Sequence, residues 1–152
     1  MNVIFLDIDG VLNTDRWEAL CLSEDIELED KFGITFDDIS IANLRTIISR
    51  TNASIVIHST WKLHHDIEWF VYMWNTRNLP GSIISITPNI APDYDKHNEI
   101  SMWLKLHPQI SQYVILDDEK EFVSPLSEHH VLIDGFCGIT MSNAEKAIKL
   151  LL

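Results

Sequence analysis

Short apolar runs alternate with stretches of helical periodicity along this chain. Each run consists mostly of Val, Ile, Leu and aromatic residues, as expected of strands that are buried on both faces of a parallel sheet. The runs lie at residues 3–6, 55–57, 83–86, 113–116 and 131–133. Apolar residues recur at helical spacing in most of the intervening stretches, at about 36–50, 61–78, 99–107 and 142–151. This alternation predicts an α/β fold with a five-stranded parallel sheet, right-handed crossovers and helices on both faces.

Local signals place the predicted helix ends. Thr35 with Asp38, and Ser142 with Glu145, match the capping-box pattern that opens a helix. The Leu-Pro-Gly sequence at 79–81 and the proline at 108 end the second and third helices. Residues 13–35 are the one sizeable stretch without an assigned element, and we expect them to hold a hairpin or a helical turn rather than a closed lid.

Acidic residues follow two of the predicted strands directly. Asp7 and Asp9, with Gly10 behind them, come after the first strand, and Asp117 and Asp118 come after the fourth. Ligands of open α/β sheets bind beyond the carboxyl ends of the strands, so we expect chemistry here. Alternate residues of an extended chain lie roughly 6 to 7 Å apart and project to one side, which leaves room for a phosphoryl group between Asp7 and Asp9. Carboxylates that two strands present at the same edge of the sheet repel unless a cation lies between them, and Mg²⁺ suits such oxygen ligands.

The Asp-x-Asp-Gly sequence at 7–10 resembles the first motif of the haloacid dehalogenase (HAD) superfamily of phosphotransferases. Three further motifs follow in the order that this superfamily has them. Ser59, with Thr60 as the alternative, resembles the hydroxyl residue that binds phosphate at a helix start. Lys96 resembles the superfamily's lysine, and the Asp117-Asp118 pair resembles its last acidic motif.

The resemblance implies a Rossmann-like fold and Mg²⁺-dependent hydrolysis of phosphomonoesters through an aspartyl phosphate. Asp7 is then the nucleophile and Asp9 the acid and base, while Ser59 and Lys96 hold phosphoryl oxygens. Mg²⁺ is expected on Asp7, on the backbone carbonyl of Asp9 and on Asp118. Asp117 is assigned either to the water shell of the metal or to Lys96. An acid at position 9 favours a phosphatase over the dehalogenases and phosphonatases of the superfamily.

A narrower similarity concerns the Ser-Thr-Trp-Lys sequence at 59–62 and the Lys-x-x-Glu-Ile-x-x-Trp-Leu sequence at 96–104. Both look like the compact HAD domains of RNA-repair (Swiss Army Knife) proteins. A length of 152 residues indicates one domain over 1–152, in which residues 13–35 take the place of the superfamily's flap or minimal cap. An insert this short cannot fold into a closed lid, so we expect the site to accept a phosphate on a nucleic-acid end or another extended substrate. Two alternatives stay open: a small-molecule (nucleotide or sugar) phosphatase, and a non-catalytic HAD-like binding module.

The charge balance limits the partners. The chain has 11 Lys and Arg against 23 Asp and Glu, for a formal net charge of −12, and no cluster of basic residues. General binding to nucleic acid depends on neutralising phosphates, so we expect no such activity, although one nucleic-acid end can still be handled. The two cysteines lack metal-ligand spacing, and no apolar run approaches a membrane span. We expect a cytoplasmic protein that binds a phosphorylated substrate and no membrane.

Overall fold

The computed structural model describes residues 1–90 and 95–152, and a five-stranded parallel sheet lies at its centre. The strands of the sheet are Asn2–Leu6 (β1), Ser54–Ile57 (β4), Ile83–Ile86 (β5), Gln112–Asp117 (β6) and His130–Leu132 (β7). Their order is β5-β4-β1-β6-β7, with all pairs parallel. The prediction of a five-stranded parallel sheet is therefore confirmed, and β1 is the central strand.

Helices cover both faces of this sheet. The helices that contribute to its two buried apolar clusters are Asp38–Thr51 (α2), Ile67–Thr76 (α3), Lys96–Leu106 (α4) and Met141–Leu151 (α5), and Asp15–Ser23 (α1) precedes them in the chain. Because side chains alternate along a strand, Ile4 and Leu6 belong to one buried apolar cluster, with α2, α3 and α5. Val3 and Phe5 belong to a second cluster, with α4. Among the described residues, no helix is both long and apolar enough to cross a membrane.

Two predicted helix starts are wrong, because other residues provide the caps. Asp37, not Thr35, caps α2 and accepts hydrogen bonds from the backbone N–H groups of Ile39 and Ser40. The Thr35 hydroxyl instead donates to the Leu28 carbonyl, at 2.8 Å. The last helix, α5, begins after Thr140, which forms a capping box with Asn143; Ser142 and Glu145 are the second and fifth residues of the helix. The stretch predicted as one helix over 61–78 is divided into a 3-10 turn, Thr60–Leu63, and α3.

The stretch 13–35 contains both a helix and a hairpin. The helix is α1, and the hairpin pairs Glu29–Asp30 (β2) with Gly33–Ile34 (β3). Arg77, at the end of α3, fixes the hairpin by donating two hydrogen bonds to the Asp30 carboxylate, at 2.7 and 2.8 Å. We call this insert, residues 13–35, the flap; its Ile34 lines a cavity together with Gly10 and Asp118, which follow the carboxyl ends of β1 and β6.

Backbone pairing continues beyond the ends of the central strands. The Asp7 N–H donates to the Leu116 carbonyl, and the His58 N–H donates to the Leu6 carbonyl, both at 3.1 Å. The first residue after β1 and the first after β4 are thus still held by the ladder. The side chains that follow these strands are consequently fixed at one edge of the sheet.

Candidate active site

Lys96 lies at the centre of a group of carboxylates at this edge. Its Nζ is 3.0 Å from Asp7 Oδ2, 2.9 Å from Asp117 Oδ2 and 3.5 Å from Glu119 Oε1. Lys96 is the first residue of α4, where a cation opposes the helix dipole. The carboxylates offset this unfavourable position. The structure thus brings together three of the residues that the sequence singled out: Asp7 directly after β1, Asp117 at the end of β6 and Lys96 at the start of α4.

Asp117 is fully buried and is held from several sides. His58 Nε2 lies 2.7 Å from its Oδ2, and the Glu119 N–H donates to its Oδ1 at 2.9 Å. Burial by itself would raise the pKa of Asp117, but the hydrogen bond with His58 and the charge of Lys96 outweigh it and hold the pKa well below its usual range. Sequence reasoning assigned no role to His58. Its position directly after a strand, like that of Asp7, is the signal that could have found it.

Asp7 is buried, and its carboxylate lies between a backbone donor and Lys96. The Ile8 N–H donates to Oδ1 at 2.8 Å. Burial, and then the negative charge of Asp117, raise the pKa of Asp7 to about 8, although Lys96 acts in the opposite direction. A further cation beside Asp7 would favour the ionised form, which is the form that a nucleophile needs.

The carboxylates present a site that fits a divalent cation. One oxygen each from Asp7, Asp117 and Asp118 lie within 4.8 Å of one another. Such a set suits Mg²⁺, which binds through one or two carboxylates and keeps several waters. Gly10 has φ +77, and a Cβ on it would lie 2.9 Å from Cγ of Asp118. Any side chain at position 10 would therefore displace the Asp118 carboxylate, and glycine avoids this clash.

Asp9 differs from Asp7 in being exposed to solvent. Its Oδ1 accepts hydrogen bonds from Asn13 Nδ2, at 2.7 Å, and from Trp61 Nε1, at 3.0 Å. Sequence reasoning assigned neither partner a role in the site, although Trp61 belongs to the Ser-Thr-Trp-Lys sequence, because an asparagine in a turn and a tryptophan near a helix start have ordinary structural uses. An exposed carboxylate with a fixed orientation can exchange protons with a bound group and with water.

Ser59 and Thr60 lie in different environments. Ser59 is fully buried, and its hydroxyl accepts a hydrogen bond from the Trp61 N–H, at 3.2 Å, as the cap of the 3-10 turn. Thr60 is exposed. The cap leaves the Ser59 hydroxyl hydrogen available as a donor, so the geometry is compatible with a phosphate-binding hydroxyl at the end of β4.

A buried ion pair joins the two segments that carry Ser59 and Lys96. Lys62 Nζ lies 2.9 Å from Glu99 Oε1 and 2.6 Å from Asn89 Oδ1, and Glu99 Oε2 accepts from the Ile90 N–H at 2.9 Å. Lys62 is three residues from Ser59, and Glu99 is three residues from Lys96. The pair therefore fixes the 3-10 turn against the start of α4.

The family described as the HAD domain in Swiss Army Knife RNA repair proteins matches residues 3–144, which is nearly the whole chain. The chain belongs to this family. No curated protein shows significant similarity to it. The matched stretch of this HAD domain contains the candidate site from Asp7 to Asp118. Membership supports a hydrolase or phosphatase type of activity at the level of the superfamily, and HAD domains generally use Mg²⁺.

Proposed function

We propose that this HAD domain hydrolyses phosphomonoesters through a covalent aspartyl phosphate, with Mg²⁺, and acts on nucleic-acid ends or similar extended substrates. One observation carries the proposal: buried Asp7 shares Lys96 with Asp117, while Asp9 stays exposed and oriented. If the pair of Lys96 with Asp7 were purely structural, it would not need the exposed carboxylate of Asp9 two residues further along the chain.

In the first step an oxygen of Asp7 attacks phosphorus, and the bond between phosphorus and the leaving oxygen breaks. Asp9, in its protonated form, gives its proton to that oxygen. Asn13 and Trp61 orient Asp9 for this transfer. The charge of Lys96 offsets the negative charge that the phosphoryl group adds beside Asp7.

In the second step a water molecule attacks the phosphorus of the aspartyl phosphate. The bond between phosphorus and Asp7 breaks, inorganic phosphate leaves, and Asp9 accepts the proton that the water loses. Both carboxyl groups thereby return to their starting states. Ser59 and Lys96 keep the phosphoryl group in place between the two steps.

Asp7, Asp118 and the backbone carbonyl of Asp9 would hold the metal. When bound, Mg²⁺ neutralises phosphate charge so that an anionic nucleophile can approach. Asp117 already accepts from Lys96, His58 and the Glu119 N–H, so we assign it to holding Lys96 rather than to the metal.

An extended substrate suits the flap. The insert consists of a nine-residue helix and a two-strand hairpin, which is less than a domain that encloses a small substrate. An open site admits a phosphate that is attached to a large molecule. The RNA-repair context of the family supports a nucleic-acid end as that molecule.

The variant Asp7→Asn tests the proposal, because it removes the nucleophile and keeps the shape. We expect wild type to hydrolyse an aryl phosphate only with Mg²⁺ and the variant to show no turnover. Asp25→Asn is the control, since Asp25 is an exposed aspartate of the insert at φ 52, a conformation that asparagine tolerates. Steady turnover by Asp7→Asn would refute the covalent mechanism.

A metal titration tests the assignment of the acidic pair. We expect Asp118→Ala to weaken the affinity for Mg²⁺ more than Asp117→Ala does, measured by the Mg²⁺ concentration that gives half-maximal activity. The opposite order would mean that Asp117 is the direct ligand.

A further inference from the structure

Two cavities of different chemistry adjoin the hairpin, and Ile34 lines both of them. The first, which we call the acidic cavity, has a volume of about 430 Å³ and includes Asp15, Glu18, Asp118 and Asp134. The second, which we call the aromatic cavity, has a volume of about 320 Å³. It is lined by Phe32, Ile34, Thr60, Trp61, Leu63 and His64, among others.

The aromatic cavity borders the position of the leaving group. Asp9 protonates the leaving oxygen in the proposed mechanism, so the body of the substrate begins beside Asp9. Trp61 donates to Asp9 Oδ1 at 3.0 Å and also forms a wall of this cavity. Thr60, directly after the candidate phosphate residue Ser59, forms another part of the wall.

The two cavities differ in the charge of their lining residues, and this difference decides which of them suits a nucleic-acid end. Asp118 would hold the metal, and the other three carboxylates of the acidic cavity, Asp15, Glu18 and Asp134, repel the further phosphates of such a substrate. Within the described part of the chain, the residues that line the aromatic cavity include no carboxylate. The terminal nucleoside is therefore favoured on the aromatic side, next to Asp9.

Two walls of the aromatic cavity, Phe32 and His65, pack against the same tryptophan, Trp69. Phe32 packs edge-on against Trp69, with ring centroids 5.7 Å apart, and His65 stacks on Trp69 at 3.5 Å. Arg77 holds the hairpin that carries Phe32 through Asp30. Aromatic side chains bind nucleobases by stacking, independently of sequence. The volume lies at the lower end of the range for small-ligand sites, which suits one nucleoside.

We propose that the aromatic cavity binds the base of the nucleoside that carries the scissile phosphate. This inference rests on the proposed function. It adds a base-binding subsite, formed by the flap and the 3-10 turn, to the phosphate site at the sheet edge.

Replacing Leu63 by Ser tests the subsite. Leu63 lines the aromatic cavity with half of its surface exposed, so the change removes an apolar contact without opening the core. The comparison is between kcat/KM for nucleoside monophosphates, with 3′- and 5′-phosphates assayed separately, and kcat/KM for glycerol phosphate, which has no base. We expect the ratio of the preferred nucleotide to glycerol phosphate to fall about threefold to tenfold. Phe136→Ser, at an exposed residue of the acidic cavity, is the matched control and should leave the ratio unchanged.

Several results would overturn the inference. They are an equal change of the ratio in both variants, a wild-type enzyme that does not prefer nucleotides to glycerol phosphate, and a phosphotyrosine peptide that outperforms every nucleotide. Failure of the hydrolase proposal is recognised separately, because wild type would then hydrolyse none of these substrates.

Binding of adenosine, followed by tryptophan fluorescence, tests the subsite without turnover. We expect weaker binding by Leu63→Ser than by wild type or Phe136→Ser. Binding that is equal in all three proteins would contradict the subsite.

Discussion

At the scale of single residues, Asp37 joins the flap to the body of the protein. It caps α2, accepts a hydrogen bond from the Thr14 hydroxyl at 2.6 Å, and pairs with Arg16 at 2.6 Å. Thr14 is itself the cap of α1. The two helix starts are thus linked through one fully buried carboxylate.

We expect Asp37→Asn to destabilise the protein by about 1–3 kcal/mol at neutral pH, because the charged hydrogen bonds from Arg16 are lost. Burial by itself would raise the pKa of Asp37, but hydrogen bonds from Arg16, Thr14 and two backbone N–H groups outweigh it and lower the pKa. A lowered pKa contributes stability above the unfolded-state pKa of about 3.9, and that stability is lost as the pH falls through the folded-state pKa. The difference between variant and wild type should therefore shrink in acid.

Urea unfolding at neutral pH and at about pH 3 measures this difference. Asp38→Asn is the control, since Asp38 also contacts Arg16 but its side chain is 62% exposed. A difference that stays constant across pH would contradict the role of the Asp37 charge.

Gly10 supports a second prediction at this scale. Gly10 and Gly33 both have positive φ, so alanine strains the backbone at either position, at a cost of about 1–2 kcal/mol. Only at Gly10 does the added Cβ meet the Asp118 carboxylate; at Gly33 no atom lies within 4 Å of it. We expect Gly10→Ala to raise the Mg²⁺ concentration needed for half-maximal activity, and Gly33→Ala to leave it unchanged. Equal effects of the two variants on this Mg²⁺ concentration would mean that Asp118 does not bind the metal.

At the scale of elements, the Lys62–Glu99 pair fixes the 3-10 turn against α4. We expect Lys62→Met to destabilise the protein by about 3–5 kcal/mol, because it leaves the Glu99 carboxylate buried without its cation. The double variant Lys62→Met/Glu99→Leu should recover much of this loss. Lys105→Met, at an exposed lysine of α4, should have little effect on urea unfolding.

A measurement of kcat distinguishes two roles of the Lys62–Glu99 pair, namely positioning the active-site residues and stabilising the fold. If it positions Ser59 and Lys96, the double variant regains stability but keeps a reduced kcat. Recovery of both quantities would mean that the pair serves stability alone.

The elements were predictable where local pattern determines them. The five strands follow from their apolar runs, and the candidate residues Asp7, Asp117 and Lys96 converge because their strands and helix meet at one sheet edge. Helix α1 was missed because only Cys21 of its residues is buried, so it shows no apolar stripe. The position of His58 directly after a strand marks it as a candidate, but the hydrogen-bond partners of His58 and Trp61 lie 59 and 52 positions away along the chain, so the local sequence does not show what they bind.

At the scale of the whole molecule, the negative charge governs how a polyanion approaches. The formal net charge is −12, and part of it lies on the flap. Salt screens this repulsion. In proteins that bind nucleic acid through basic surfaces, by contrast, salt lowers the binding affinity. We expect kcat/KM for a terminally phosphorylated oligonucleotide not to fall steeply between about 50 and about 200 mM salt. A steep fall, with the activity on an aryl phosphate constant, would indicate a basic contact surface.

The continued ladder at the end of β1 has a consequence for deuterium exchange. The amide proton of Asp7 is bonded to the Leu116 carbonyl, between the central strand β1 and its neighbour β6, so we expect deuterium to replace it when these two strands separate. We expect this amide to be among the slowest to exchange, more slowly than the amides of β2, whose strand pairs only with β3. The backbone that carries the proposed nucleophile should therefore keep its place until the sheet unfolds. Heating should abolish activity and the sheet signal in circular dichroism together, with no inactive folded state between them.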